Sequence, residues 1–331
     1  MIKESEIRPN ELMKGQAERH AVDVARLLKH KDNFVTVPCP ACGSEDSHKI
    51  YKKYGIQFVT CNVCETNYAS PRPRPEHLEE YYSHSENYAY WNQYIFPASE
   101  SARREKIFKP RVQKVLNICK RFNVPTNTLL EVGAGFGIFC EEIQKTNVFS
   151  RVIGVEPTPD LAETCRKRGL EIIEKPIEQI DFGKEPIDVI TNFEVIEHLF
   201  SPKEFILKCY NLLTNGGIFI LTCPNSKGFD ILTLGDKSSA VDNEHLNLFN
   251  ITSLTLLLEN CGFEVIESQT PGRLDAELVR NQILSKSFDI SHQPFLKYIL
   301  IDVSEIQREA FQDFLSANNL SSNMLLVARK P

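Results

Sequence analysis

Leu129-Leu130-Glu131-Val132-Gly133-Ala134-Gly135-Phe136-Gly137-Ile138-Phe139 decides how the rest of this 331-residue chain is read. Two apolar residues lead into an acid, glycines then alternate with small or apolar residues, and Ile138 to Gln144 opens an amphipathic helix. The pattern is a strand, a tight turn and a helix. Glycines at such a turn let the backbone come close to a ligand, and the N–H groups at the helix start face its negative charge. The apolar run Val152-Ile153-Gly154-Val155 reads as the next strand, and Glu156 closes it where a carboxylate grips ribose hydroxyls. A bound nucleoside is implied. A dinucleotide fingerprint needs a glycine or alanine three places after its second glycine, and here that place is Ile138, which weakens a pyrophosphate reading.

From Leu129 onward strands and helices alternate as in a doubly wound α/β sheet. Strands are expected at 128–132, 151–155, 171–174, 187–191 and 218–222, the fifth after the turn Asn215-Gly216-Gly217. A helix over 253–261 ends at Gly262, and strands follow at 263–267 and 324–328. The residues between, about 274–319, read as a helical insertion lying over the acceptor pocket as a lid, with Arg273, Asp275 and Arg280 as candidates to face it. Ligands of open parallel sheets sit beyond the carboxyl ends of the strands, which singles out Asn192-Phe193-Glu194-Val195-Ile196-Glu197-His198 after strand four. On a helical turn Glu194, Glu197 and His198, spaced by three and four, face one way.

An acid directly before Gly-x-Gly-x-Gly, with a second acid closing the next strand, resembles motifs I and II of the class I S-adenosylmethionine-dependent methyltransferases. The resemblance implies a seven-stranded Rossmann-like sheet whose last strand is antiparallel. It implies S-adenosylmethionine as cofactor, contacted by Glu131, Gly133, Ala134, Gly135, Phe136, Gly137, Glu156, Pro157, Asn192 and Phe193, with Glu178 at the adenine. The run Glu194 to Pro202 resembles, position for position, the Glu-Val-x-Glu-His-x-x-x-Pro motif of the ubiquinone-biosynthesis O-methyltransferases. It is also similar to the metal-binding run of the small-RNA 2′-O-methyltransferases, in which two glutamates and two histidines hold magnesium. There the second histidine follows a Pro-Asn pair ending strand five; here Cys223-Pro224-Asn225 precedes His245. The resemblance therefore makes Glu194, Glu197, His198 and His245 the catalytic set and candidate ligands of Mg2+ or Mn2+. With no ion, His245 or His198 would serve as general base.

Four regions are expected: a surface helix in 1–34, a ribbon in 35–70, a linker and cap in 71–124, and the sheet domain in 125–331. Cys39-x2-Cys42 and Cys61-x2-Cys64 have the spacing of a four-cysteine zinc site closed to solvent, so the zinc is structural. Pro71-Arg72-Pro73-Arg74-Pro75 reads as a stiff linker. Tyr88 and Trp91, in the aromatic segment that follows, are candidates for a substrate wall. Arg104 and Arg111 lie seven apart, on one face of a helix, where they could hold a substrate phosphate such as that of a nucleotide-linked sugar.

Net charge is 38 − 44 = −6, which disfavours a broad nucleic-acid surface. The start lacks a signal-peptide core and no apolar run is long enough for a membrane, so a cytoplasmic protein without a membrane partner is expected. The six cysteines outside the ribbon motif sit among apolar residues, as reduced thiols do. A ribbon, Pro-Arg-Pro segment and tyrosine-rich cap joined to such a domain look like methyltransferases of polysaccharide and sugar modification. The expectation is O-methylation of a sugar or other small molecule. The alternatives are C-methylation of a nucleotide-linked keto-sugar, RNA 2′-O-methylation, and a non-catalytic binding module.

Overall fold

In the computed structural model, which describes residues 2–183 and 185–331, the ribbon is a hairpin of β1 (Ser47–Lys53) and β2 (Ile56–Cys61), extended by β3 (Asn67–Ala69). Tyr54 and Gly55 both take positive φ at its tip, as a two-residue loop needs if its twist is to match the strands. Ile56 and Phe58 pack with Leu27 of the helix Asn10–Leu28 and with Leu78 and Tyr81 of the helix Pro75–Ser83.

The main sheet is built from β4 (Thr128–Val132), β5 (Arg151–Val155), β6 (Glu171–Ile173), β7 (Ile187–Phe193) and β8 (Leu213–Pro224). A two-residue strand, β9 (Asn247–Leu248), then joins the ribbon's sheet, and β10 (Glu264–Gln269) and β11 (Asn323–Arg329) complete the main one. The order is β10-β11-β8-β7-β4-β5-β6, with β11 antiparallel to both neighbours and the others parallel. Helices cover both faces, so central β4 and β7 are buried along their whole length and read as apolar runs. The chain winds outward from β4 to β6, then returns to β7 on the other side of β4. That reversal opens a crevice at the carboxyl ends of β4 and β7. This is the seven-stranded methyltransferase sheet that the sequence predicts.

The fifth strand starts earlier than expected. Gly216 N–H donates to Lys330 O (2.8 Å) and Lys330 N–H to Gly217 O (2.9 Å), so the end of β11 holds the Asn-Gly-Gly turn within the strand pairing. The insertion is helical, over Asp275–Leu284, Pro294–Lys297 and Glu305–Ala317, with a small core of Ala276, Val279, Ile290, Leu296 and Leu300. Among the described residues no helix is long and apolar enough to cross a membrane.

The proline-arginine stretch is not a free spacer. Arg72 is 1% exposed and bridges Val35, and its guanidinium donates to the carbonyls of Ala69 (3.0 Å), Phe200 (3.1 Å) and Leu246 (3.3 Å). A charge can be buried when its donors are met by acceptors in this way. Burial still pulls its pKa down, to about 10.

Candidate active site

The glycine turn lies at the end of β4. A Cβ at Gly133, whose φ is 86°, would stand 2.4 Å from a methyl of Val195, so only glycine fits beneath the turn that follows β7. Gly135 also has positive φ, but nothing lies within 4 Å of the position its Cβ would take, so a ligand has room there. Glu156 is buried; its Oε2 accepts from Gly135 N–H (2.8 Å) and its Oε1 from Thr158 N–H (2.9 Å). Burial raises its pKa, the two N–H donors opposing. A carboxyl so held keeps lone pairs for two ribose hydroxyls. Open space beside Gly135 and this oriented acid fit the nucleoside part of S-adenosylmethionine.

Glu131, also buried, accepts from the Cys140 thiol (2.8 Å), and burial pushes its pKa up to about 8. Ala134 is buried, while Pro157 and Glu178 are exposed beyond β5 and β6. Phe136 packs on Phe96 at 5.1 Å between centroids, with Gly137 opening the helix Ile138–Lys145 behind it. Tyr88, Phe96 and Phe108 together cover Phe136, Ile138 and Leu161, so the cap closes over the glycine turn. Asn192 donates to Val132 O (3.0 Å), tying β7 to that turn, and the Phe193 ring lies between Phe139 and the Arg111 guanidinium. These two residues shape the crevice through packing and backbone contact.

The turn after β7 departs from the expected helix. Glu194 takes a left-handed φ of 59° and only Ile196–His198 forms a tight 3₁₀ turn, so Glu194 does not join the cluster of Glu197 and His198. Its Oε1 accepts from Thr222 Oγ1 (2.5 Å) and Asn323 Nδ2 (2.9 Å), with Arg111 at 3.9 Å. Glu197, His198 and His245 do converge, each offering a ligand atom within 4.8 Å of the others. Glu197 is fully buried and, among the described residues, neither carboxylate oxygen has a hydrogen-bond partner. Burial, and then the charge of Glu194, raise its pKa well above the carboxylate range. Burial and neighbouring His245 hold His198 down at about 3, so it is neutral. His245 Nδ1 lies 2.7 Å from the carbonyl of Ala240, and because a carbonyl only accepts, Nδ1 carries the proton and Nε2 a lone pair. An orphaned buried carboxylate beside two imidazoles is a donor set that fits a divalent cation.

Several residues that sequence reasoning passed over hold this cluster. Asn247 donates to the carbonyls of Ile196, Glu197 and Leu199, joining the two histidine segments. Asp242 Oδ1 accepts from the N–H groups of Glu244 and His245, both at 2.8 Å. Tyr82 Oη lies 3.2 Å from His198 Nδ1, while Tyr81 and Tyr88 donate to buried Glu244 (2.7 and 2.9 Å). Asn247 could have been suspected from its place two residues after His245. Nothing local marks Tyr82 among so many tyrosines.

His245 and Glu194 also line a cavity of about 710 Å³ bounded by Pro224, Asp230 and Asn323. Aliphatic walls come from Ile7, Ile107, Leu274, Leu278 and Leu325, and cations from Arg8, Lys106, Arg111, Lys114 and Arg273. Arg273 and Asp275 of the insertion border it as expected; Arg280 is not among its lining residues. Of the four expected substrate contacts Arg111 lines it, whereas Tyr88, Trp91 and Arg104 do not. Tyr88 is spent on Glu244, and Trp91 packs against Phe96 and Arg103. Arg104 is held by Glu100, Glu141 and Glu142. The two arginines part because a π turn, Arg104–Phe108, precedes Pro110 and rotates the helix face between them.

The sulfurs of Cys39, Cys42, Cys61 and Cys64 lie within 4.8 Å of one another, a four-thiolate set of the kind that fits zinc. This knuckle is fixed to the site: Asn250 Nδ2 donates to Cys64 O (3.0 Å) and Glu65 O (3.1 Å), and β9, directly after Leu246, pairs with β3.

A family model described as a methyltransferase domain matches residues 100–268, just over half the chain, and the chain belongs to that family. A Mycolicibacterium smegmatis protein named as an S-adenosylmethionine-dependent methyltransferase is 26% identical over 195 residues, 55% of this chain and 72% of its own. One from Mycobacterium tuberculosis is 27% identical over 137 residues, 41% and 48% of the two chains. The ubiquinone biosynthesis O-methyltransferase of Maricaulis maris is 32% identical over 119 residues, 32% and 45% of the two chains. The chain thus spans less than half the length of the latter two relatives. Among solved structures, an S-adenosylmethionine-dependent methyltransferase from Archaeoglobus fulgidus superposes with a TM-score of 0.49 at 18% identity, over 72% of this chain and 100% of its own.

Proposed function

We propose that this chain transfers a methyl group from S-adenosylmethionine to a hydroxyl of a small acceptor held in the cavity lined by His245 and Glu194. The observation that carries the proposal is His245 itself, which belongs both to the Glu197–His198–His245 cluster and to the cavity wall. Glu156 would hold the ribose and the open face of Gly135 would admit the cofactor. When bound, the sulfonium supplies an activated methyl group, and a divalent ion on Glu197, His198 and His245 would lower the acceptor hydroxyl's pKa. The acceptor oxygen gains the methyl carbon as the carbon–sulfur bond breaks, and its proton leaves to a base. We assign that role to Glu194, which lines the cavity with its Oε1 held by Thr222 and Asn323. The cap, packed over Phe136 and Ile138, would exclude water from the cofactor.

The similarity to ubiquinone biosynthesis O-methyltransferases supports oxygen as the methylated atom. Aliphatic walls suit an acceptor with an apolar part, and Arg111, whose ion pair with Glu194 is long at 3.9 Å, suits an anionic group on it. A carrier-linked sugar or an aromatic acid meets that description better than a free sugar, and both fit a small-molecule partner. The test is methyl transfer from labelled S-adenosylmethionine across such a panel, with His245→Ala as control. A methyl ether formed by wild type, and lost in the variant with cofactor affinity intact, supports the reading. A C-methylated product, or loss of cofactor binding in the variant, overturns it.

A further inference from the structure

Among the described residues, the cavity and the cysteine knuckle leave one group of metal-ligating side chains unused, beside the helix Pro75–Ser83. His77 and Glu80 stand three residues apart on Pro75–Ser83 and so share a face. His30, just beyond the end of Asn10–Leu28, is fixed there by its N–H on Leu27 O (3.1 Å). The rings of His30 and His77 stack at 4.1 Å with an interplanar angle of 17°, and His30 Nε2 is 3.5 Å from Glu80 Oε2. One ligand atom from each of the three lies within 4.8 Å of the others. Among the described residues neither ring makes another side-chain hydrogen bond. The Arg26 guanidinium borders the same cleft, but its charge is answered by Asp23 at 2.9 Å.

We infer that His30, His77 and Glu80 form a further metal site for an imidazole-preferring divalent cation such as Ni2+ or Zn2+. Two imidazoles and a carboxylate are the mixed donor set such ions take, one of the two stacked rings turning about its side-chain torsion to bring its in-plane lone pair onto the ion, and partial exposure leaves positions for water. Its ligands come from Pro75–Ser83 and from the turn just past Asn10–Leu28, so the ion clamps the end of that helix to Pro75–Ser83. Directly after Glu80, Tyr81 donates to Glu244 and Tyr82 contacts His198. Occupancy therefore steadies the helix whose tyrosines support Glu244 and His198. The inference does not depend on the methyltransferase reading.

The test is Ni2+ titration calorimetry and thermal denaturation on the full chain carrying zinc on its cysteines. Wild type is compared with His77→Asn and Glu80→Gln, each also in a Glu197→Gln background to subtract uptake by the other cluster. Wild type should bind one Ni2+ more than His77→Asn, and Ni2+ should raise its melting temperature but not that of the variant. Glu80→Gln, at an exposed position, should bind that ion at least tenfold more weakly. Equal uptake and equal thermal shift in wild type and His77→Asn overturn the site, as does unchanged affinity in Glu80→Gln.

Discussion

The crevice at β4 and the cluster after β7 lie at the ends of neighbouring strands, yet they are made of different material. The β4 side is mostly backbone: a glycine turn, the start of a helix, and one acid held by two N–H groups. The β7 side is mostly side chains, drawn from residues 72, 82, 197, 198, 245 and 247 and held by carbonyls and other side chains. A backbone site is robust to side-chain change, because its geometry is the fold's own. A site of converging side chains fails when any one of its supports is removed.

The sharpest way to break this contrast is to remove one of the four cysteines that would hold zinc in the ribbon. Structural zinc contributes on the order of 10 kcal/mol to small metal-dependent domains, and β9 belongs to the ribbon's sheet. Cys61→Ser should therefore abolish turnover while cofactor affinity, measured by calorimetry, stays within about threefold of wild type. Loss of both would mean the two sides are one cooperative unit. Next in size, Glu197→Gln should lower turnover on the order of 10²- to 10³-fold, the range for losing one fixed electrostatic group, with cofactor binding unchanged. Glu156→Ala should do the reverse, weakening S-adenosylhomocysteine by roughly a hundredfold if its two ribose bonds are each worth about 1.5 kcal/mol. Asn247→Ala removes a tie between the histidine segments and should cost about tenfold in turnover, the usual range for groups that orient metal ligands.

The smallest effect is one of pH. Glu131 is a buried acid whose pKa rises to about 8, so between the ordinary carboxylate range and pH 8 the folded chain keeps a proton that the unfolded chain has lost. Stability from this group therefore falls as pH rises through that window and levels off above it. In ligand-free protein Glu131→Gln should melt close to wild type at pH 4 and increasingly above it toward pH 8. A constant difference across that range would place the carboxyl's charge in the folded state.

The same contrast explains what the sequence made legible. The glycine turn, Glu156 and the central strands are written in contiguous residues, because backbone sites leave a local pattern. The four cysteines were legible for the same reason, since each pair shares a knuckle. Glu194 was misplaced in the cluster because its spacing suggested a helix where the chain takes a left-handed turn. Arg104 was misplaced because a π turn, invisible to a 3.6-residue count, separates it from Arg111. Arg72 looked like part of a linker because composition cannot show that three carbonyls from distant segments wait for its donors.

The most direct measurement is anomalous scattering from crystals grown with Mn2+ and S-adenosylhomocysteine, recorded at the manganese edge. The account predicts a manganese peak among Glu197, His198 and His245, with the nucleoside against Glu156 and its sulfur toward the cavity. An empty cluster with the nucleoside in place would contradict the metal-assisted mechanism.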